Sequence, residues 1–300
     1  MKSKIQFILS MIIFGTIGLV LKGVNRNPAE LAAIRGFIGC LFLLTIMLFK
    51  RQKFDFKAIK KNLFILVLSG VALAVNWIFL FLAYNNTTIS NAALSVYFAP
   101  VFVLIFSPIV LKEKISPKKV ICIIIAMTGM FFVVSTAGGS SSTTGGQNHL
   151  LGIIFGLLTA VFYASMMLLN KFIKGVDGVQ STFIQLLTAA VVMAPLALIW
   201  GGNSVFRITL TDIPMLLLLC IVHSGLAFFL FISGMQKIKG QTIAALNYVD
   251  PLTSLLISAL ILNEAMTLTQ IIGGLMLLGA TFATVNNEHM NNDSINESYE

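Results

Sequence analysis

The sequence contains few charged residues. Lys and Arg number 20 and Asp and Glu number 11 among 300 residues, so that 10% are charged, against about 25% in typical soluble domains. Hydrophobic residues make up 57% of the chain and the mean hydropathy is +0.94. A water-soluble domain cannot bury that much apolar surface. The composition excludes a soluble globular protein and predicts an all-α integral membrane protein, because helices in lipid satisfy their own backbone hydrogen bonds.

Residues that commonly carry catalysis or bind metals are also scarce. The three cysteines, Cys40, Cys122 and Cys220, each lie alone in a different apolar stretch, so no CxxC spacing suggests a zinc site. The sequence has no glycine-rich phosphate loop and no Ser-His-Asp order. We therefore predict no catalytic residue, no metal and no cofactor. The net charge of +9 is spread in short clusters between apolar stretches, which argues against a nucleic-acid partner.

Ten apolar stretches are long enough to cross a bilayer as helices, each of which needs about 20 residues. They lie at residues 5–21, 30–49, 63–84, 89–111, 119–136, 150–173, 179–200, 212–234, 241–262 and 268–285. If the N-terminus is cytoplasmic, sixteen Lys and Arg fall on the cytoplasmic side and four on the other. This asymmetry follows the positive-inside rule. It predicts cytoplasmic N- and C-termini and a multi-pass protein of the cell membrane, with the lipid bilayer around it.

A repeat relates the two parts of the chain. At an offset of 151 residues, the Tyr-x-x-Pro sequence at 97–100 falls on the same sequence at 248–251. The same offset places Glu113 on Glu264. Lysines surround Glu113 but none lies near Glu264, so the two turns should face opposite sides of the membrane. The sequence therefore predicts two inverted five-helix repeats, which permit alternating access to a substrate site between them.

The repeat also sets the predicted domain boundaries. Residues 1–137 form the first repeat and residues 150–285 form the second. The uncharged segment 138–149 is rich in Gly, Ser and Thr, which predicts an external flexible linker. Residues 286–300 are too polar to pack against the spans, which predicts a disordered cytoplasmic tail. The two matched glutamates lie at turns, where caps or contacts between the halves are expected.

Together these features resemble the drug/metabolite transporter superfamily, in its EamA-type branch. The resemblance covers about residues 5–285. Besides the ten spans and the doubled Tyr-x-x-Pro sequence, it is carried by Lys112-Glu113, Asn263-Glu264 and Arg35 early in span two. The resemblance implies a secondary transporter that moves small metabolites such as amino acids and their derivatives, often outward, although some members take up nutrients. It does not identify the substrate.

Polar side chains inside the spans are candidates for the substrate pathway, because a charge at the centre of a span costs about 2.5–3.5 kcal/mol on insertion. At the repeat offset, Asn247 and Asp250 of span nine stand where span four has apolar residues. Pro251 and its counterpart Pro100 are predicted helix breaks or gates, since proline removes a helix hydrogen bond. The predicted substrate-pathway residues are Asn76, Trp77, Tyr97, His223, Asn247, Tyr248 and Asp250.

Each of these residues also has a structural alternative. The polar groups could join neighbouring helices by hydrogen bonds, and the aromatic ones could fill the bundle. Arg35 either contacts a substrate carboxylate or extends its charge to the membrane surface. If His223 and Asp250 face the same cavity, their titration could couple transport to protons.

The sequence thus favours a secondary active transporter for an amino acid or a related zwitterion, working by alternating access and with proton coupling as a hypothesis. One alternative is an uptake permease for another small nutrient, such as a nucleoside, a sugar or a quaternary amine. Others are an intramembrane enzyme using His223 and Asp250, and a channel-like or structural membrane protein. Export or import, the coupling ion, and the choice between monomer and homodimer stay open at this point.

Overall fold

The computed structural model describes residues 2–21, 28–87, 92, 95–114, 116–137, 148–201, 212–261 and 267–297. Within these ranges the chain is helical and has no β-strand. The helices are α1 (Lys2–Gly15), α2 (Ile17–Leu21), α3 (Pro28–Phe49), α4 (Phe56–Asn86), α5 (Ala99–Leu111), α6 (Pro117–Ala137), α7 (His149–Leu169), α8 (Gly178–Gly201), α9 (Ile213–Leu218), α10 (Ala227–Met235), α11 (Gly240–Leu246), α12 (Val249–Leu260) and α13 (Leu268–Glu297). A 3-10 turn, Asn170–Phe172, extends α7, and a π-helical segment, Leu219–Leu226, joins α9 to α10. Most of the predicted linker, and Asn263 with Glu264, lie outside the described residues.

Among the residues that the structure describes, five helical segments have the length and hydropathy to cross a membrane. They are Ala29–Phe49, Phe56–Asn86, Leu150–Phe172, Gly178–Trp200 and Ile213–Met235, and they coincide with predicted spans two, three, six, seven and eight. The predicted all-helical membrane architecture is confirmed at this level. Of the other predicted spans, one and nine fall on interrupted helices and four falls on α5, which has 13 residues. Spans five and ten fall on the continuous helices α6 and α13, of 21 and 30 residues.

Two of these interruptions lie at the Tyr-x-x-Pro sequences. Residues 97–98 form a turn before α5, and residues 247–248 form a turn between α11 and α12. In each case the proline falls in the first turn of the next helix, where its missing N–H removes no intrahelical bond. The two sequences therefore have the same local structure. A third interruption, at Thr16, separates α1 from α2.

The helices of the two predicted halves interleave. α4 packs against α7 and α8, while α3 packs against α8 and the π-helical segment. α1 packs against α10 and α12, and α5 packs against α7 and α11. α6 crosses α13 so closely that a Cβ atom on Gly129 would lie 2.7 Å from the Gly273 carbonyl oxygen. The core of the bundle therefore forms between the predicted halves.

One end of the bundle is rich in basic residues and is closed by polar contacts. We call it the basic end; it comprises the α3–α4, α5–α6 and α10–α11 turns and residues 170–177. Here Glu113 Oε1 accepts a hydrogen bond from the Gly240 N–H at 3.0 Å, and Lys119 Nζ donates to Thr242 Oγ1 at 2.8 Å. Glu113 thus makes the contact between halves that its position at a turn predicts.

Deeper in the basic end, buried amides and hydroxyls form a connected network. Asn170 Nδ2 donates to Ser69 Oγ at 2.8 Å and to Gln185 Oε1 at 3.0 Å. Gln185 Nε2 in turn donates to Asn170 Oδ1 at 2.8 Å and to Ser181 Oγ at 3.0 Å. All four side chains are fully buried. The network joins α4, α7 and α8, and its polar groups are matched to one another.

The last helix is longer than the sequence predicts. α13 continues past residue 285 to Glu297, so residues 286–297, predicted to belong to a disordered tail, are helical in the structure. Extending an existing helix requires no new nucleation, which is the costly step of helix formation. That is why polar residues that could not start a helix can prolong one.

Candidate functional site

A cavity of about 230 Å³ lies between the predicted halves. Its walls come from α1, α2, α3, α4, α7, α10 and α12 and from the turns that precede α5 and α12. The lining residues are Phe14, Ile17, Arg35, Asn76, Trp77, Leu80, Tyr84, Val96, Tyr97, Thr159, Tyr163, Phe228, Asn247 and Asp250. Since Arg35 lies near the start of α3 and Tyr84 near the end of α4, the cavity occupies the part of the bundle away from the basic end. A wall of aromatic and aliphatic side chains with a few polar groups is typical of small-molecule sites.

Asp250 is the acidic residue of this lining. It stands in the first turn of α12, directly after the interruption at residues 247–248. Three tyrosines, Tyr84, Tyr97 and Tyr163, line the same cavity. Within the part of the chain that the structure describes, Asp250 forms no ion pair. Its carboxylate is therefore a charge in a membrane-embedded cavity without a cationic partner from those residues.

Gly15 fixes the distance between Asp250 and the first helix. A Cβ atom at position 15 would lie 2.7 Å from the Asp250 carbonyl oxygen and 2.6 Å from Thr253 Cβ. Only a glycine permits the end of α1 to approach α12 this closely. The position of the carboxylate thus depends on backbone contact between α1 and α12.

Arg35 is the basic residue of the lining, on α3. Its guanidinium carbon lies 5.7 Å from the ring centroid of Trp77, a cation–π contact worth about 0.5–2 kcal/mol. Arg35 Nε also donates a hydrogen bond to Ser224 Oγ, on the π-helical segment, at 3.0 Å. No carboxylate among the described residues forms an ion pair with it. The ring and the hydroxyl hold the guanidinium in place and leave its charge unmatched.

Two amides of the lining tie the walls together. Asn76 Nδ2 donates to the Thr159 carbonyl oxygen at 2.9 Å, which joins α4 to α7. Asn247 Oδ1 accepts a hydrogen bond from the Tyr163 hydroxyl at 3.4 Å. Both predicted residues thus line the cavity and also hold neighbouring helices.

The tyrosines of the two Tyr-x-x-Pro sequences, Tyr97 and Tyr248, occupy different environments. Tyr97 lines the cavity, whereas Tyr248 is fully buried and donates its hydroxyl to the Tyr97 carbonyl oxygen at 3.4 Å. Pro100 and Pro251 are buried and are not among the lining residues. These three predicted residues surround the site without forming its surface.

His223 also lies outside the cavity lining. Its Nε2 atom is 2.8 Å from Thr16 Oγ1, and that hydroxyl donates to the Ile13 carbonyl oxygen at 2.7 Å. The Nε2–H is therefore the donor and Thr16 the acceptor. The buried Nδ1 atom has no hydrogen-bond partner among the described residues. The structure does not place His223 and Asp250 on one cavity wall, although both contact the break between α1 and α2.

Eight lining residues are not predicted from the sequence: Phe14, Ile17, Leu80, Tyr84, Val96, Thr159, Tyr163 and Phe228. Tyr84 follows Asn76 by eight residues, so the two lie on the same face of α4. Thr159 and Tyr163 are four residues apart on α7 and share a face in the same way. Helical spacing from a polar residue is the signal that could have found Tyr84 and Thr159.

Comparison with known proteins agrees with this architecture. The profile of the EamA-like transporter family matches residues 1–135 and 150–286. The uncharacterized transporter YxxF of Bacillus subtilis (strain 168) is 28% identical over 287 residues, which cover 94% of this chain and 88% of that protein. Solute carrier family 35 member G1 of Homo sapiens is 25% identical over 281 residues, covering 91% of this chain and 76% of that protein.

A solved crystal structure has the same fold. It matches with a TM-score of 0.82 at 18% sequence identity and covers 94% of this chain and 95% of its own. The resemblance to drug/metabolite transporters is confirmed by the family match, and the apolar helices place the chain in a lipid bilayer with a small molecule as its substrate. The protein is a multi-pass membrane transporter, and the chain belongs to the EamA-like transporter family.

Proposed function

We propose that the protein is a secondary active transporter of the cell membrane that moves a small zwitterion, with amino acids favoured, by alternating access. The observation that carries this proposal is the pair of unmatched charges in one cavity, Asp250 on α12 and Arg35 on α3. Charges in a membrane interior are costly unless they are paired. A substrate with an ammonium group for Asp250 and a carboxylate for Arg35 would pair both at once.

Alternating access needs two parts that move against each other. We propose two inverted halves of five spans each, with cytoplasmic N- and C-termini. The interleaved packing supports this, because the main helix pairs keep their pattern when the halves are exchanged: α4 with α7 corresponds to α10 with α1, and α5 with α7 corresponds to α12 with α1. The two matched ranges of the family profile, 1–135 and 150–286, support it as well.

The polar contacts of the basic end suggest which state the structure represents. Glu113 and Lys119 of the first half bind residues at the start of α11 in the second. Between these contacts and the cavity, Phe7 stacks on Phe231 at 5.3 Å between ring centroids. If the basic end is cytoplasmic, as the positive-inside rule predicts, this state is closed to the cytoplasm and the substrate enters the cavity from outside.

We also propose that a coupling proton, if the transporter uses one, binds Asp250. Asp250 lines the cavity together with three tyrosines, whereas His223 forms a hydrogen bond with Thr16 outside it. The same separation argues against an intramembrane enzyme, because the two groups that would serve as its acid and base do not face one cavity. We therefore propose transport without a catalytic step.

The proposal is tested by binding and counterflow with defined zwitterions. The purified protein is screened by thermal shift against the twenty proteinogenic amino acids, and each hit is compared with its methyl ester and with its decarboxylated amine. We expect the amino acid to stabilise the protein and to show saturable exchange in proteoliposomes, while both derivatives lose most of the effect. An amine or a neutral solute that binds as well as the amino acid would contradict the zwitterion. Product formation without a sealed compartment would contradict transport.

A further inference from the structure

The densest group of basic residues lies where α3 ends and α4 begins. We call it the polybasic surface; its members are Lys50, Arg51, Lys53, Lys57, Lys60 and Lys61. All six side chains are exposed, and none forms an ion pair within the described residues. The one acid between them, Asp55, accepts the Ala58 N–H at 3.0 Å as the N-cap of α4. The surface therefore presents positive charge that nearby described residues do not neutralise.

The lysines of α4 lie on the side of the helix that faces lipid. Lys57, Lys60 and Lys61 are followed at helical spacing by Phe64, which is 78% exposed, so the four residues share one face. Exposed Val67 and Leu68 continue that face toward the bilayer centre. A lysine on this face points toward neighbouring lipids rather than into the protein.

The length of α4 places these lysines at the depth of the lipid headgroups. The helix has 31 residues and is about 46 Å long at 1.5 Å per residue, against a hydrocarbon core of about 30 Å. Span three begins at residue 63, so Lys57 to Lys61 lie roughly 3–9 Å beyond the hydrocarbon boundary. The headgroup layer is about 5–8 Å thick on each side. Lys60 and Lys61 therefore lie within the headgroup layer, and Lys57 lies at its outer edge.

Aromatic side chains flank the polybasic surface at the same depth. Phe49, at the end of α3, is 85% exposed, and Phe56, at the start of α4, is 75% exposed. Removing a Phe side chain from water stabilises it by about 1.5–3 kcal/mol, so two such side chains are not expected to face water alone. Their exposure is explained if the boundary of the bilayer passes through this turn.

The turn is held rigidly by the protein below it. The buried side chain of Asn62 makes two hydrogen bonds to the backbone of Lys174. Its Nδ2 donates to the Lys174 carbonyl oxygen at 2.9 Å, and its Oδ1 accepts the Lys174 N–H at 3.2 Å. Gln180 Nε2 donates to the Lys53 carbonyl oxygen at 2.9 Å. The backbone that carries the lysines is thus ordered before any ligand arrives, so binding would not have to order it.

We propose that the polybasic surface is a binding site for the phosphodiester headgroups of anionic phospholipids. Clusters of four to eight Lys and Arg beside a membrane helix attract anionic lipids, and each basic residue near the surface contributes about fivefold to the affinity. The site differs from the substrate cavity in place and in chemistry. It gives the transporter a preference for the lipid around α4 that does not depend on which solute is transported.

The experiment compares the wild-type protein with a Lys57→Gln/Lys60→Gln/Lys61→Gln variant in detergent micelles that contain phosphatidylcholine. Phosphatidylglycerol is titrated in, and the melting temperature is followed. We expect phosphatidylglycerol to stabilise the wild-type protein and to bind the triple variant at least tenfold more weakly. Equal melting temperatures in phosphatidylcholine alone show that the variant folds normally, and glycerol 3-phosphate should have no effect, since the lipid is the ligand.

Two controls separate a site from a general effect of charge. Arginines at the same three positions keep the charge and should keep the response. A Lys112→Gln/Lys114→Gln/Lys118→Gln variant removes the same charge from another exposed cluster and should respond like the wild type. An equal loss in that variant, an unchanged response in the first variant, or equal stabilisation by glycerol 3-phosphate would overturn the proposal.

Discussion

The cavity and the basic end both place polar groups inside a bundle that is otherwise apolar, but they differ in how those groups are satisfied. At the basic end, Asn170, Gln185 and Ser69 bind one another at 2.8–3.0 Å. In the cavity, Asp250 and Arg35 have no ion pair within the described chain. Paired groups stabilise a structure, and unpaired ones favour a ligand that pairs with them. From this difference we infer that the basic end stabilises the structure and that the cavity binds a ligand.

Removing the carboxylate should have the largest effect. We expect Asp250→Asn to lower the exchange rate of the amino acid that gives the largest thermal shift by about a hundredfold or more, because losing a charged partner costs about 2–5 kcal/mol. Proteoliposome counterflow at two pH values measures this. If Asp250 also binds the coupling proton, the remaining exchange should no longer respond to pH.

The matched control for this change is Asp177→Asn, at an exposed position where the side chain accepts the Val179 N–H at 3.0 Å. Asn also caps helices well, so exchange should be unchanged. A wild-type exchange rate in the Asp250→Asn protein would show that Asp250, like Asp177, does not bind the substrate, and would contradict the proposed site.

Arg35 provides the second test of the unmatched charges. Arg35→Gln should raise the KM for the amino acid by about ten- to a hundredfold, since a hydrogen bond to a charged group contributes about 1.5–3 kcal/mol. Arg35→Lys keeps the charge but loses the contact of the guanidinium with the Trp77 ring, so its KM should lie between those of the wild type and Arg35→Gln. The methyl ester of the substrate should bind both variants and the wild type alike. A KM that does not change in Arg35→Gln would place the carboxylate elsewhere.

At the basic end, the expected loss is in stability rather than binding. Asn170→Ala leaves the Gln185 amide without its main partner, which should destabilise the protein by about 1–3 kcal/mol. Unfolding in a titration with sodium dodecyl sulfate measures this difference. Thr128→Val is the control, because that exposed hydroxyl bonds only within its own helix, to the Ile124 carbonyl oxygen. Equal stability of the two variants would show that the network does not hold the basic end together.

The smallest effect is expected at His223. Its contact with Thr16 lies outside the cavity, and Gln retains an N–H donor for that hydroxyl. We expect His223→Gln to exchange the substrate within about twofold of the wild-type rate, which is less than 0.5 kcal/mol, with an unchanged response to pH. If substrate exchange by His223→Gln no longer depended on pH, His223 would take part in proton coupling, contrary to this prediction.

Local sequence predicts much of the fold and part of the site. Apolar length identifies five of the predicted spans, and the two Tyr-x-x-Pro sequences mark the turns before α5 and α12. Asp250, Arg35 and Asn76 stand out because polar groups inside spans are costly. Tyr84 and Phe228 do not, since aromatic residues serve packing and binding equally well.

Contacts between distant parts of the chain account for what the sequence does not reveal. Ser69 meets Asn170 across 101 residues and Gln185 across 116, and no local pattern pairs them. The environment of His223 depends on the interruption between α1 and α2, because Thr16 at that position contacts the imidazole. The helical extension of α13 to Glu297 depends on the helix that precedes it, which composition alone does not record.

The crossing of α6 and α13 has a mechanical consequence. The backbones touch where Gly129 faces Gly273, and these helices close the first and second halves of the chain. Contacts between α6 and α13 extend along both helices, so neither helix can slide past the other without a collision. If the proposed halves rock against each other, α6 and α13 should therefore move little relative to one another.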